Sequence, residues 1–366
     1  MKSILIFGGS FDPIHNGHLK LFDFAYKTLK VNKGYFLLAK KARWKDPTVS
    51  EKHRLKMLKI ALKDYPRYKI NLYEFKKKDN DETYTFDTIN NLYGKKKNLK
   101  IYFMIGSDQL QKLHKWHRVD ELSKLVTFVV FRRNGYSVSY ENMNKYNCIF
   151  LETTAVDISS TDIRKLKNLD LPKSILTYIE KNKLYYYHEL YKYISYKRVE
   201  HSYSVASLSY DIAKSNGVNP SKAYLAGLIH DIAKGLNEDE ELEIMRKDFK
   251  EYIDKLGSWS YHQFIATLVA KKEFNIDDEE ILHAIKYHAT GSSNMTKLDK
   301  IIYCADKLDP LRGWNSSSLI KACKKDIDEG FKQVLFDNIR YFETHNKDYR
   351  NELTLSCINE YLNERK

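Results

Sequence analysis

The chain of 366 residues is long enough for two domains, and a hydrophobic content of 43% gives each a core. Its net charge of +14 is spread along the whole length and not gathered in one patch, which argues against nucleic acid and for polyanionic nucleotides as partners. No apolar run approaches the ~18 residues of a membrane span, and no leader-type segment opens the chain. Cys148, Cys304, Cys323 and Cys357 form no CxxC pair. A cytoplasmic protein with reduced thiols and no membrane contact is therefore expected.

In chain order, residues 4–7 (ILIF) read as a short buried strand, followed at once by GGSFDPIHNGH, Gly8 to His18. Glycines in a tight turn tolerate positive φ and let other backbone approach. They do not account for His15 and His18, which three residues apart at a helix start lie on one side of its first turn. A helix is expected over 18–29 and a strand over 35–39. Thr48-Val49-Ser50-Glu51 reads as a capping box opening a helix through His53, Arg54 and Met57 to about residue 65; for His53-Arg54 a family helix motif and a solvated face are both open readings. Strands follow over 70–75, 101–105 (ending at Gly106), 125–131 and 148–151, with a helix over 86–93 and a solvated turn at Lys95-Lys96-Lys97. This alternation predicts an α/β domain, a Rossmann-like parallel sheet with helices on both faces. Ligands of such sheets sit beyond the carboxyl ends of the strands, so Gly8, His15, Gly106 and Asp108 should share one rim.

The strand signal then ends. From about Glu189 the sequence reads as helices over 201–216, 221–234, 239–254, 262–274, 278–287 and 297–306, punctuated by Asn219-Pro220 and Gly291-Ser292-Ser293. An all-α bundle is expected, with the domains at 1–187 and 190–366.

The start of a helix after a glycine turn offers unpaired N–H groups and a positive dipole end, which suit phosphate. Two imidazoles there add donors to phosphoryl oxygens. An attacking group that is itself a phosphate is already anionic near neutral pH and needs no base. Catalysis is then positioning and charge stabilisation of an in-line displacement at phosphorus.

The eleven-residue string resembles the signature of the HxGH nucleotidyltransferase superfamily. Thr83-Tyr84-Thr85-Phe86-Asp87-Thr88, Ile105-Gly106-Ser107-Asp108, Lys115-Trp116-His117 and Ile158-Ser159-Ser160-Thr161-Asp162-Ile163-Arg164 are similar to the motifs of bacterial nicotinate-mononucleotide adenylyltransferases, in the same order, over residues 1 to about 187. The resemblance implies transfer of AMP from ATP to nicotinate mononucleotide with Mg²⁺, giving nicotinic acid adenine dinucleotide and pyrophosphate. It assigns Gly8, Gly9, Ser10, Phe11, His15, His18, Gly106, Asp108, Ser159, Ser160, Thr161 and Arg164 to ATP, with His15, His18 and Arg164 catalytic. It gives Trp116 and the Thr85 region to the nicotinate. Ser159 can also cap a helix with Asp162 at its third position, a second N-terminus suited to anions. The chain departs from the family at Lys40-Lys41-Ala42-Arg43-Trp44-Lys45, where a Pro-Pro-His-Lys loop is usual.

In the second half, Leu228-Ile229-His230-Asp231-Ile232-Ala233-Lys234 puts adjacent His and Asp inside an apolar helix, where burial demands compensation by a hydrogen bond or a metal. His201 starts one helix, His262 another, His288 ends a third and Asp306 a fourth. Four His and two carboxylates suffice for two adjacent metal ions. His283 reads as structural. The series, with Tyr303-Cys304-Ala305-Asp306-Lys307-Leu308-Asp309-Pro310-Leu311-Arg312, resembles bacterial HD-domain symmetrical diadenosine tetraphosphate hydrolases over about 190–366. That resemblance implies cleavage of diadenosine tetraphosphate to two ADP at a di-iron centre held by His201, His230, Asp231, His262, His288 and Asp306. Lys234, one turn after His230, and Arg312 are then expected on phosphate, with Asp231 and Lys234 catalytic.

A bifunctional enzyme is thus expected. The rivals are a pantetheine-phosphate adenylyltransferase for the first half, and an HD nucleotide phosphatase or a non-catalytic metal or nucleotide sensor for the second. Metal identity, preference for nicotinate over nicotinamide and the existence of a homo-oligomer stay open.

Overall fold

The apolar runs of the first half pair into one six-stranded, all-parallel sheet in the computed structural model, which describes residues 2–40, 48–76, 84–93, 96, 98–153 and 158–362. The strands are β1 (Lys2–Gly9), β2 (Lys33–Leu38), β3 (Tyr68–Asn71), β4 (Leu99–Gly106), β5 (Thr127–Phe131) and β6 (Ile149–Leu151). Their order is β3-β2-β1-β4-β5-β6, so strand addition reverses direction between β1 and β4. At such a switch point the loops leaving the two strands part and open a crevice at their carboxyl ends. Those two loops carry Gly8 to His18 and Gly106 to Asp108.

The helices accompanying the sheet are α1 (Asn16–Thr28), α2 (Glu51–Ala61), α3 (Thr85–Tyr93), α4 (Ser107–Leu110), α5 (Val119–Leu125), α6 (Tyr140–Lys145), α7 (Ser160–Arg164) and α8 (Lys173–Lys181). Successive strand side chains point to opposite faces, and each set finds its own cover. Ile4 and Ile6 pack with Phe103, Ile105, Phe86 and Leu122 on the α3–α5 side. On the other face Phe22 of α1 lies 4.3 Å from the ring of Phe36, and a Cβ on Gly34 would come within 2.6 Å of Phe22.

Several local expectations shift. Ser50, not Thr48, caps α2, its hydroxyl facing the His53 N–H at 3.5 Å. β3 ends at Asn71, and 74–76 form a 3-10 turn that buries Glu74 against the Thr88 hydroxyl. Leu125 closes α5 instead of opening a strand. Of the two readings of His53-Arg54, the solvated face does not hold for Arg54, which is 1% exposed. Its guanidinium donates to the carbonyls of Ser10 (2.8 Å), Ala39 (2.8 Å) and Lys40 (2.7 Å), tying the loop after β1 to the end of β2. Its fork of fixed donors suits three converging carbonyls. The loop residues Lys41-Ala42-Arg43-Trp44-Lys45, with Thr83, Lys95 and Lys97, lie outside the described residues.

Contacts divide the chain into one unit of residues 1–163 and 170–178 and a second of 164–169 and 179–366. The second unit is helical: α9 (Tyr187–Leu190), α10 (Tyr196–Ser215), α11 (Pro220–Ile229), α12 (Glu238–Asp248), α13 (Tyr261–Phe274), α14 (Glu279–Lys286), α15 (Lys297–Lys307), α16 (Ser317–Lys325), α17 (Ile327–Thr344) and α18 (Glu352–Leu362). No described helix is long and apolar enough to cross a membrane. α11 begins where Asn219 caps it with Pro220 at its first position, and it stops at Ile229, earlier than expected. His230 therefore sits at the helix end and Asp231 in the turn beyond. α10 starts a turn and a half before His201.

α10 and α11 approach closely at Gly227, where a Cβ would lie 2.9 Å from the Ala206 Cα and 3.0 Å from the Ser209 Oγ. Gly227→Ala should lower stability by about 1–3 kcal/mol through overpacking, despite the ~1 kcal/mol that alanine adds in helix propensity. The check is the melting temperature of the full chain.

Candidate active sites

At the rim of the sheet, His15 is the N-cap of α1 and His18 its third residue. The His15 Nδ1 accepts from the His18 N–H and the His18 Nδ1 accepts from the His15 N–H, each at 3.3 Å. The rings stack with centroids 3.6 Å apart. With both Nδ1 atoms accepting, each neutral ring carries its proton on Nε2. The edges of Phe7 and Phe11 pack on His18 at 5.6 and 5.3 Å. Burial is the main cause that lowers both imidazole pKa values, followed for His15 by its neighbour His18; the Arg133 guanidinium lowers both further. His18 falls to about 3. The pair is a set of neutral N–H donors beside a cation.

The glycines act by closeness, not by positive φ. A Cβ on Gly8 would lie 3.1 Å from the Phe103 ring and one on Gly9 3.2 Å from Phe11, while the positive φ of the turn, 45°, falls on Phe11 itself. Asp12 accepts from the Thr48 N–H at 2.7 Å, and Arg54 holds the Ser10 carbonyl, so the loop is pinned at both. Ser159 caps α7, accepting from the Asp162 N–H at 3.1 Å, and the Ser160 hydroxyl donates to the Pro13 carbonyl at 2.9 Å. Asn16 donates its backbone N–H and its side-chain amide to Asp170 at 3.1 and 2.6 Å. Ser159, Ser160 and Thr161 are thus brought beside the loop of Gly8 to His18. α7 is one turn long, so its dipole is weak, and Arg164, its last residue, groups with the second unit.

From the neighbouring strand, Gly106 precedes α4 without room for a side chain against Asp108. Asp108 accepts from Arg133 at 2.9 Å through Oδ2, and its Oδ1 is buried without a hydrogen bond among the described residues. Trp116 is half-buried, edge-on to Phe103 (6.3 Å) and Phe128 (6.1 Å). The Tyr84 ring lies 4.2 Å from that of His117, which sets Thr85, the first residue of α3, beside the Trp116 loop. Phe103 touches both Gly8 and Trp116, so these groups meet across one ring.

In the second unit the six expected ligands converge from separate elements. His201 Nε2 is 3.2 Å from Asp306 Oδ1 and 3.9 Å from Asp231 Oδ2. His230 Nε2 lies 3.6 Å from Asp231 Oδ1 and 3.7 Å from Asp306 Oδ1. Asp231 Oδ1 also has His262 Nε2 at 3.5 Å and His288 Nε2 at 3.4 Å. His201, His230 and Asp306 form one group able to hold an ion, and His230, Asp231 and His288 another. The residues fit a metal on two counts. His230 Nε2 is fully buried with no hydrogen bond among the described residues, and His262 and His288 turn their Nε2 atoms on each other at 3.2 Å. Facing ring nitrogens in a buried site call for a cation or a shared proton. His230 and His288 are oriented by their Nδ1 atoms, 2.8 and 2.7 Å from the carbonyls of Gly227 and Ile285.

Burial raises the Asp231 and Asp306 carboxyls, but the surrounding cations and imidazoles, Lys307 foremost at Asp306 and His230 at Asp231, hold both well below the usual range. Burial pushes His262 and His288 down, which keeps them neutral. His201 moves the other way: burial lowers it, but Asp306 and Asp309 outweigh that and raise it to about 9. The half-exposed Arg312 donates to Asp306 Oδ1 at 2.6 Å and Arg198 to Asp231 Oδ2 at 3.3 Å. The Lys234 ammonium has no hydrogen bond or ion pair among the described residues; the turn after α11 carries it, so it does not share a helical face with His230. His283 bonds Asp299 at 2.8 Å, away from both groups.

Sequence reasoning missed Arg133, Arg198, Lys307 and Asp309. Arg133 follows the end of β5 as Asp108 follows β4, a positional signal that could have found it. Asp309 lies inside the DKLDPLR string.

A cytidylyltransferase-like family matches residues 6–166, and an HD domain family matches residues 198–311. The chain therefore joins a nucleotidyltransferase unit to an HD hydrolase unit, and it is an enzyme. Its relatives place it further. A "probable nicotinate-nucleotide adenylyltransferase/Ap4A hydrolase" of Mycoplasma genitalium is 32% identical over 353 residues, 95% of this chain and 99% of its own. Its counterpart in Mycoplasma pneumoniae is 31% identical over 341 residues, 90% of this chain and 97% of its own. A "probable nicotinate-nucleotide adenylyltransferase" of Streptococcus mutans is 37% identical over 192 residues, half of this chain and 89% of its own. A solved HD superfamily hydrolase from Clostridium acetobutylicum shares 31% identity over 49% of this chain and 98% of its own, with a TM-score of 0.44. The chain belongs to the family of two-domain nicotinate-nucleotide adenylyltransferase/Ap4A hydrolases.

The hydrogen bonds at His15 and His18 predict a spectroscopic outcome. Nitrogen NMR of the imidazoles should show both rings neutral with the proton on Nε2. Neither should titrate between pH 5 and 8, because a pKa lowered from 6.5 leaves the ring charged only at lower pH.

Proposed function

We propose that the first unit transfers AMP from ATP to nicotinate mononucleotide, releasing pyrophosphate, and that the second hydrolyses diadenosine tetraphosphate to two ADP. In the first unit the observation that carries the reading is the locked pair of neutral imidazoles at the switch point. A phosphate oxygen of nicotinate mononucleotide attacks the α-phosphorus of ATP, and the bond to the pyrophosphate oxygen breaks in line. No proton has to be removed from the nucleophile. The Nε2–H groups of His15 and His18 donate to the α-phosphoryl oxygens, on which charge accumulates, and Arg133 adds a positive field. Ser159, Ser160, Thr161 and Arg164 are assigned to the phosphates of ATP, Gly8, Gly9, Ser10 and Phe11 to the backbone cradle, and Gly106 and Asp108 to its ribose side. Trp116 offers a flat ring for the pyridine, and Thr85 the backbone donors of a helix start for its carboxylate. In this proposal Mg²⁺ is carried on the nucleotide phosphates.

In the second unit the convergence of His201, His230, Asp231, His262, His288 and Asp306 carries the reading. A pair of divalent ions, iron in this proposal, supplies acidified water and positive charge for phosphate when bound. Lys234, with its unpaired ammonium, and Arg312 bind the phosphate chain. Arg312 leaves Asp306 for the substrate, and Arg198 stands in the same relation to Asp231.

Separate variants test the two halves. His18→Ala should lower the rate of adenylyl transfer by about 10²–10³ and leave ADP release from diadenosine tetraphosphate intact. His230→Ala, or stripping of bound metal with a chelator followed by return to buffer holding Mg²⁺ alone, should abolish ADP release and leave the folded first unit active. Fast turnover of phosphopantetheine without turnover of nicotinate mononucleotide overturns the first assignment. Loss of both activities in a folded single variant overturns the independence of the sites.

A further inference from the structure

We propose that Asp309 is a positioning residue that fixes His201 as a metal ligand and, through the same side chain, sets the loop that carries Arg312; this rests on the metal reading of the second unit. Asp309 is 1% exposed, yet it is not one of the convergent ligands. Its Oδ2 lies 2.5 Å from His201 Nδ1, and its Oδ1 accepts from the Ser204 hydroxyl at 2.5 Å and from the Leu311 N–H at 3.0 Å. Its own carbonyl accepts from the Arg312 N–H at 3.0 Å. Every acceptor of this residue is therefore in use, and each bond serves a neighbour of the centre.

The consequence for His201 is one of tautomer and direction. An imidazole that donates from Nδ1 to a carboxylate presents the Nε2 lone pair opposite, and here that nitrogen faces Asp306 at 3.2 Å. Ser204, one turn along α10 from His201, holds the carboxylate from its other oxygen and stops it rotating away. The bond to Leu311 begins the 3-10 turn of Pro310–Arg312, from which Arg312 reaches back to both the carbonyl (2.8 Å) and the carboxylate (2.6 Å) of Asp306. One buried carboxylate thus couples the direction of a ligand to the position of a phosphate-binding cation. His230 and His288 use backbone carbonyls for orientation, so Asp309 should act on the group containing His201 alone.

The test is cobalt binding by the full chain after removal of endogenous metal, read by visible absorption and by metal content. Wild type should bind two equivalents. Asp309→Ala should weaken one of them by about 10–100-fold, with the second equivalent and its absorption unchanged. The retained equivalent also reports that the bundle is folded. Ser204→Ala should weaken the same equivalent by a smaller factor, and it carries the test if Asp309→Ala does not fold. Wild-type affinity for both equivalents in the folded variants overturns the role of Asp309. A wild-type chain that binds no cobalt overturns the metal reading instead.

Discussion

A polar ring buried away from water has to be held, and which backbone group holds it decides what its free nitrogen can do. That constraint shapes both sites. In the first unit the Nδ1 atoms of His15 and His18 accept from backbone N–H groups, so the remaining nitrogen, Nε2, is a donor. In the second the Nδ1 atoms of His230 and His288 face the carbonyls of Gly227 and Ile285, so Nε2 is an acceptor. One arrangement suits an anion and the other a cation. The distinction arises from the ends of helices: N–H groups of the first turn of α1, carbonyls of the last turns of α11 and α14. The same side chain is thus turned to opposite chemistry by its place on a helix.

Close packing makes these helix ends available where they are needed. Gly8 lets β1 lie against Phe103, the ring on which Trp116 also rests, and Gly34 lets α1 settle on β2. Gly227 brings α11 against α10 at Ala206 and Ser209, one turn before His230. Arg54, with three carbonyls to itself, takes the place of a hydrophobic contact under the first loop. It stabilises that loop only because all three acceptors are supplied; a buried guanidinium lacking them would destabilise it.

The sheet, the helical second half and the convergence of six ligand side chains were legible from period and spacing. Local strand and helix signals are strong where a whole face is buried, as at Ile4 to Phe7 or Ile101 to Ile105. Element ends were less legible. The apolar stretch running through Ile232 and Ala233 reads as helix, but the chain stops at Ile229 so that His230 and Asp231 can turn into the bundle. A period carries no information about where burial of a polar pair outweighs another helical turn. The burial of Arg54 was undecided in the sequence for the converse reason: charge suggests water, and the three carbonyls that make burial tolerable come from residues 14 to 44 positions away. Arg133 and Asp309 escaped notice because each acts through a partner that only the fold supplies.

The cations around the second site follow from the same electrostatics. Asp231 and Asp306 lie in a buried cluster of imidazoles, and a carboxylate there must be neutralised. Arg198, Lys307 and Arg312 each reach one of the two. These groups offset the acidic charge that a metal would otherwise meet alone. They differ in how far they can move. Lys307 is tied to the carbonyls of His288 and Ala289 as well as to Asp306, and is buried. Arg198 and Arg312 are half-exposed, and each long side chain can leave its carboxylate for an incoming anion at little cost in packing. In the proposed reaction a divalent ion at the carboxylates would weaken the hold of both arginines and leave them for phosphate.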